Sequence, residues 1–218
     1  DGLYFTADDV SYGVNQSWGP SLAASGRTGY DAYDFFETGK GWRNNIEVTG
    51  GNEETTFRLG IGNLNQSGMV PGSEFDRTSV RLTADTKLTS KVKMGGTVNY
   101  IHSKQVAVQN GSNLGGVMLG LLRAPVDYDL TQYTNSAGYQ QNYFYIYDNP
   151  YYTSKENPFT SNVNRVLGNV FLSYDIMEGL NFTYRLGVDT YSDDRSQIYA
   201  ISSFGDDIGG VGQVNENR

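Results

Sequence analysis

The chain has 218 residues, with Lys+Arg 16 against Asp+Glu 24 for a net charge of -8, and it contains no cysteine. Disulfides, thiolate metal sites and a cysteine nucleophile are therefore excluded, and a single histidine, His102, argues against a His-rich metal site or a histidine-based triad. The acidic balance also opposes a general nucleic-acid binder, which needs a basic face to neutralise phosphates.

Residues 1–41 hold turn residues and aromatics with little periodicity. The chain opens on Asp1-Gly2-Leu3, so it is expected to start after processing or within a longer protein. Next, Ile46 and Val48 alternate with Glu47 and Thr49, and Phe57, Leu59 and Ile61 alternate with Thr56, Arg58 and Gly60. A period of two sends the two sets to opposite faces of a strand. Between them, Gly50-Gly51-Asn52-Glu53 has the residues of a tight hairpin, since Gly and Asn accept positive φ cheaply.

Beyond a medium link at 66–76, Thr78, Val80, Leu82, Ala84 and Thr86 alternate with Ser79, Arg81, Thr83 and Asp85. After the short link 89–91, Val92, Met94, Val98 and Tyr100 alternate with Lys93, Thr97 and Asn99. A very long link, 103–163, follows. It includes a short helix expected at 113–123, capped by Asn113 and stopped by Pro125, and an aromatic loop at 132–158. Val166, Val170, Leu172 and Tyr174 then alternate with Arg165, Asn169 and Ser173. Past the short link 176–179, Phe182, Tyr184, Leu186 and Val188 alternate with Thr183, Arg185 and Asp189.

The pattern predicts about six strands, most near the ~9–11 residues that cross a tilted bilayer span. Apolar runs such as 115–122 are far below the ~20 residues of a membrane helix. An apolar stripe can equally be one face of a soluble β-sandwich. Arg58, Arg81, Asp85, Lys93, Arg165 and Arg185 on the opposite face, aromatic ends such as Tyr100 and Tyr174, and short links alternating with long ones favour a barrel wall. The fold expected is all-β: an antiparallel up-and-down transmembrane β-barrel wall with short periplasmic turns and long extracellular loops. About six strands cannot close such a barrel, and open edges in lipid would cost several kcal/mol per unpaired backbone group. The wall must belong to something larger.

Several pieces of the sequence resemble the SusC/RagA family of TonB-dependent outer-membrane transporters. They are Ser17-Trp18-Gly19-Pro20, Phe35-Phe36-Glu37-Thr38-Gly39, Val48-Thr49-Gly50-Gly51, Gln66-Ser67-Gly68-Met69-Val70-Pro71, residues 77–88, Asp148-Asn149-Pro150-Tyr151-Tyr152, Glu156-Asn157-Pro158 and Asn164-Arg165-Val166-Leu167-Gly168-Asn169, in the family's order. The resemblance implies a barrel of about twenty-two strands, plugged by an N-terminal domain absent here. It implies a place in the cell outer membrane, among its lipid. It also implies a SusD/RagB-like lipoprotein lid, a glycan or peptide substrate, and energy from TonB through a segment outside this chain. On that footing residues 1–35 are an extracellular loop region, 36–102 and 164–200 are strands, 103–163 is a long extracellular loop with a short helix, and 201–218 is a loop. The alternative is a soluble or surface-attached β-sandwich that binds carbohydrate.

No nucleophile, base or metal cluster emerges, so no catalytic residue, metal site or cofactor is assigned and the chain is not read as an enzyme. Asp8-Asp9, Asp193-Asp194 and Asp206-Asp207 fit no calcium loop and read as solvated charges, and His102 reads as a rim residue. Gly60-Ile61-Gly62 lies between strand residues, without the helix a phosphate loop needs. The binding candidates are aromatic: Tyr139, Tyr143, Tyr145, Tyr147, Tyr151 and Tyr152, with Tyr133 and Phe144 beside them. Tyrosines offer an apolar face to a sugar or peptide and a hydroxyl for hydrogen bonding. The competing reading is that they pack the loop on itself or against the lid.

Overall fold

The computed structural model describes residues 21–109, 114–144, 146–205 and 210–217. Seven strands form a single sheet: β1 Lys40–Gly51, β2 Thr55–Ser67, β3 Glu74–Lys87, β4 Val92–Ala107, β5 Phe159–Met177, β6 Leu180–Tyr199 and β7 Gln213–Asn217. Each pairs antiparallel with the next in chain order. Three short helices lie outside the sheet, α1 Leu22–Ser25, α2 Val117–Arg123 and α3 Pro150–Glu156, with a 3-10 turn at Ala32–Phe35.

Register turns the alternation into two continuous surfaces. Val48 lies opposite Leu59, Leu59 opposite Leu82, Leu82 opposite Val98, Val98 opposite Gly168 and Gly168 opposite Val188. The neighbouring row, on the other face, runs Thr49, Arg58, Thr83, Thr97, Asn169, Gly187. On this polar face Arg58 donates to Glu47 at 2.6 Å, Arg165 Nε donates to Asp189 at 2.8 Å, and the Thr83 and Thr97 hydroxyls meet at 3.0 Å. The apolar band ends in aromatics, Tyr174 opposite Phe182 at one edge and Tyr100 near the other. Above Tyr100 the same face changes to Asn44, Asn63, Thr78, His102, Asn164 and Ser192 in one row.

Among the described residues, neither face is covered. Val98 is 47% exposed and Leu186 55%, while most polar-face residues are exposed too. A sandwich would bury its apolar face under a second layer. Among the described residues no such layer exists, and the sheet has the two-faced pattern of a barrel wall.

Tight turns gather at one edge of the sheet. At the β1–β2 turn, Asn52 Oδ1 accepts from Glu54 N at 2.9 Å and Thr55 N at 2.8 Å. Thr89 Oγ1 accepts from Lys91 N and Val92 N between β3 and β4. Gly179, at φ 79, closes the link from β5 to β6, where a left-handed residue suits glycine. The links at 68–73, 108–158 and 200–212 all lie at the opposite edge.

The structure corrects several sequence expectations. β4 continues to Ala107 and β5 starts at Phe159, so the expected link 103–163 shortens to 108–158. Alternation fades there because the outward face turns polar beyond the apolar band, where Lys104 pairs with Asn162. β7 occupies part of the stretch expected to be loop at 201–218; only five residues long and polar apart from Val214, it has no periodicity to read. The helix expected at 113–123 is α2, shorter at its start and without a side-chain cap on Gly116; Asn113 lies outside the described residues. Helix α3 lies within the segment 132–158 expected to be loop.

Candidate functional site

The 108–158 link folds over the long-loop edge around buried polar groups. Asp148 is 1% exposed and accepts hydrogen bonds from Gln140 Nε2 at 2.7 Å, Phe204 N at 2.8 Å and Ser203 Oγ at 2.5 Å. Burial pushes its carboxyl above the usual carboxylate range, although those donors pull the other way. Asn149, fully buried, donates to Leu130 O at 2.9 Å and Gln141 O at 2.8 Å, while its Oδ1 caps α3 by accepting from Tyr151 N at 2.9 Å. Pro150 fills the first helical position, where its missing N–H costs nothing.

At the far end of α3, Asn157 donates to Ser203 Oγ at 2.8 Å and accepts from Ala200 N at 2.8 Å. Tyr152 OH donates to Ile201 O at 2.7 Å, and Gln140 Nε2 also donates to Ser202 O. Residues 140–157 are thus welded to the end of β6. Unsatisfied buried polar groups are costly, so these pairings hold the cover in one arrangement, while Thr153 Oγ1 and Tyr143 OH are buried there without a hydrogen-bond partner among the described residues.

A small apolar core sits beside the weld. Phe35, Val117 and Leu121 are buried, with Val70, Leu130 and Tyr151 packed on them. Phe35 meets the edge of Tyr151 with ring centroids 4.8 Å apart. This core joins the Ala32–Phe35 turn, α2 and α3.

The structure separates the candidate tyrosines. Tyr143 and Tyr147 are buried and stack at 5.9 Å, and Arg123 donates to Tyr147 OH. Burial pushes the Tyr143 phenol up to about 12, so it stays neutral. Tyr152 is buried by the weld. These three side chains are spent inside the loop. Tyr139 is 52% exposed, Tyr151 is partly exposed, and Tyr145 lies outside the described residues.

Tyr151 borders a cavity of about 200 Å³ that the aromatic reading of the sequence did not find. Its walls include Phe35, Leu121, Pro125 and Tyr128, and its rim carries Asp31 and Asp34. The lining comes from residues 30–35 and 121–131 as well as α3, a convergence that local patterns do not show. The only sequence signal was the Phe35-Phe36 pair. Burial and nearby Asp34, Asp129 and Glu37 raise the Tyr151 phenol, and burial with Asp129 raises that of Tyr128. Among the described residues no group of three or more His, Asp or Glu side chains is placed to hold a metal.

No family model matches the chain. The TonB-dependent receptor SusC of Bacteroides thetaiotaomicron is 26% identical over 163 residues, which cover 73% of this chain and 16% of SusC. The solved RagAB peptide importer in its closed-closed state superposes with a TM-score of 0.67 at 21% identity, over 87% of this chain and 22% of that one. The strands share the fold of the barrel wall in that importer. The open-open state of RagAB matches with a TM-score of 0.65 over 79% of this chain.

The chain spans 16% of SusC and about a fifth of the RagAB chains it matches. An open sheet is what such a share of a closed barrel must be. In a barrel wall of that fold the apolar face meets lipid and the polar face a lumen. These relatives are a receptor and an importer rather than enzymes. The Asp148-Asn149-Pro150 and Asn157-Pro158 motifs are structural: they build the weld.

Proposed function

We propose that this wall belongs to an active transporter that imports oligosaccharides or peptides through the outer membrane, beneath a SusD/RagB-like lipoprotein lid and with energy from TonB. The observation that carries the reading is the two-faced, uncovered sheet with every tight turn at one edge, in the fold of an importer. A welded, aromatic cover on the long-loop side is suited to meeting a substrate or a lid. Tyr139 and Tyr151 supply its accessible aromatic surface, with Tyr143, Tyr147 and Tyr152 as the scaffold beneath. We assign the chain no reaction.

The test is uptake by cells carrying the intact protein. Cells with the gene disrupted should lose accumulation of one class of labelled oligosaccharide or peptide, and so should cells with TonB inactivated. The intact protein should also co-purify with a surface lipoprotein. Normal uptake of every oligosaccharide and peptide tried in the disrupted strain would remove the proposal.

A further inference from the structure

We propose that the cavity between the Ala32–Phe35 turn and α2 is a subsite for an arginine or lysine side chain of an incoming peptide, an inference that rests on the transporter reading and narrows its substrate. At about 200 Å³ the space is below the roughly 300–1,000 Å³ of sites that enclose a whole small ligand. It suits one long side chain. Phe35, Leu121, Pro125 and Tyr151 give an apolar sleeve for a methylene stem, and the Tyr128 and Tyr151 rings lie within the same lining for a cation to rest on.

The rim supplies the charge. Asp31 and Asp34 line the opening, and the described lining contains no basic side chain. One oxygen of Asp31 accepts from Tyr33 N at 2.9 Å, which fixes the carboxylate at the start of the turn. Asp129 and Glu37 extend the negative field to the Tyr151 hydroxyl. Neighbouring cations are already engaged: Arg27 with Asp127 at 2.7 Å, Arg123 with Tyr147, and Lys155 over the Tyr133 ring at 4.6 Å. An apolar sleeve ending in unneutralised carboxylates matches an alkyl cation. A neutral sugar would gain nothing from that charge.

The experiment measures fluorescence anisotropy of a labelled Ala-Ala-Arg-Ala-Ala peptide on the intact protein in detergent, beside the same peptide with glutamine at the centre and a labelled maltoheptaose. The arginine peptide should bind about tenfold more tightly than the glutamine peptide, as two partly exposed ion pairs allow. In the double variant Asp31→Asn, Asp34→Asn the preference should vanish while binding of the glutamine peptide holds. Asparagine still accepts from Tyr33 N, so the turn survives. Ala124→Phe, which narrows the cavity, should weaken the arginine peptide alone. Equal affinity for both peptides, or a preference that persists in the double variant, overturns the inference. Binding of maltoheptaose alone overturns it too, while the transporter reading stands. Absence of the intact protein from the outer-membrane fraction would instead remove both.

Discussion

Asn157 Nδ2 donates to Ser203 Oγ at 2.8 Å, with both residues fully buried, and the same asparagine accepts from Ala200 N. One side chain therefore satisfies a donor and an acceptor on a segment that follows the whole β5–β6 hairpin. Asn157→Ala leaves buried Ala200 N unpaired and takes one hydrogen bond from Ser203 Oγ, which keeps Asp148 and Gly205 N, at a cost of about 1–3 kcal/mol. The cover should loosen while the wall remains. Limited proteolysis of the intact protein should then cleave within 130–157 several times faster than in the unaltered protein, with unchanged heat-modifiable gel mobility.

The two faces should respond differently to charge. Val98→Arg or Leu186→Arg puts a cation on the lipid face and should cost ~2–4 kcal/mol near the midplane. Thr97→Arg adds the same group to the polar face, where Thr97 already meets Thr83, and should cost far less. Urea titration of the protein folded into vesicles reads both. Equal penalties would indicate two buried sides.

Orientation follows from the segregated turns. Ser90, in the tight β3–β4 turn, and Ser136, exposed in the cover, lie at opposite edges. With cysteine introduced singly, Ser136→Cys should react with an impermeant maleimide on whole cells and Ser90→Cys only after lysis. The opposite result would invert the wall.

Acid should firm the cover. The folded Asp148 carboxyl titrates above its unfolded value, which is near about 3.9, because burial outweighs its donors. As pH falls, the folded cover takes up this proton before the unfolded segment does. Its contribution to stability therefore grows on acidification and is lost as pH rises through the folded value. Hydrogen exchange across 140–157, corrected for intrinsic rates, should show greater protection near that folded value than at neutral pH. Asp148→Asn should flatten the dependence.

The wall was legible because lipid and water impose opposite demands on successive residues, as at Leu82 and Thr83. The phases of the strands, the hairpin residues at Gly51-Asn52 and the barrel class all follow from that contrast. It fails where both sides are wet. The upper part of β4, from His102 onward, has polar residues on either face and so carries little period. Helix α3, seven residues long, is too short to show its own repeat, although Asn149-Pro150 is a cap followed by a first-turn proline. The fate of the tyrosines was hidden for another reason. Exposure of Tyr139 and burial of Tyr143 depend on partners brought from Arg123, Tyr128 and Tyr147, and no local pattern encodes that.

The weld also divides the chain into two parts open to change under different rules. In the wall, inserting one residue within a strand reverses every later side chain, so lengths there are held to the pairing. The cover has its own anchors, Asp148, Tyr152 and Asn157 on one side and residues 200–204 on the other. A family could exchange that whole unit between barrels, with its two attachment points, and acquire a new outer surface without rebuilding the membrane span.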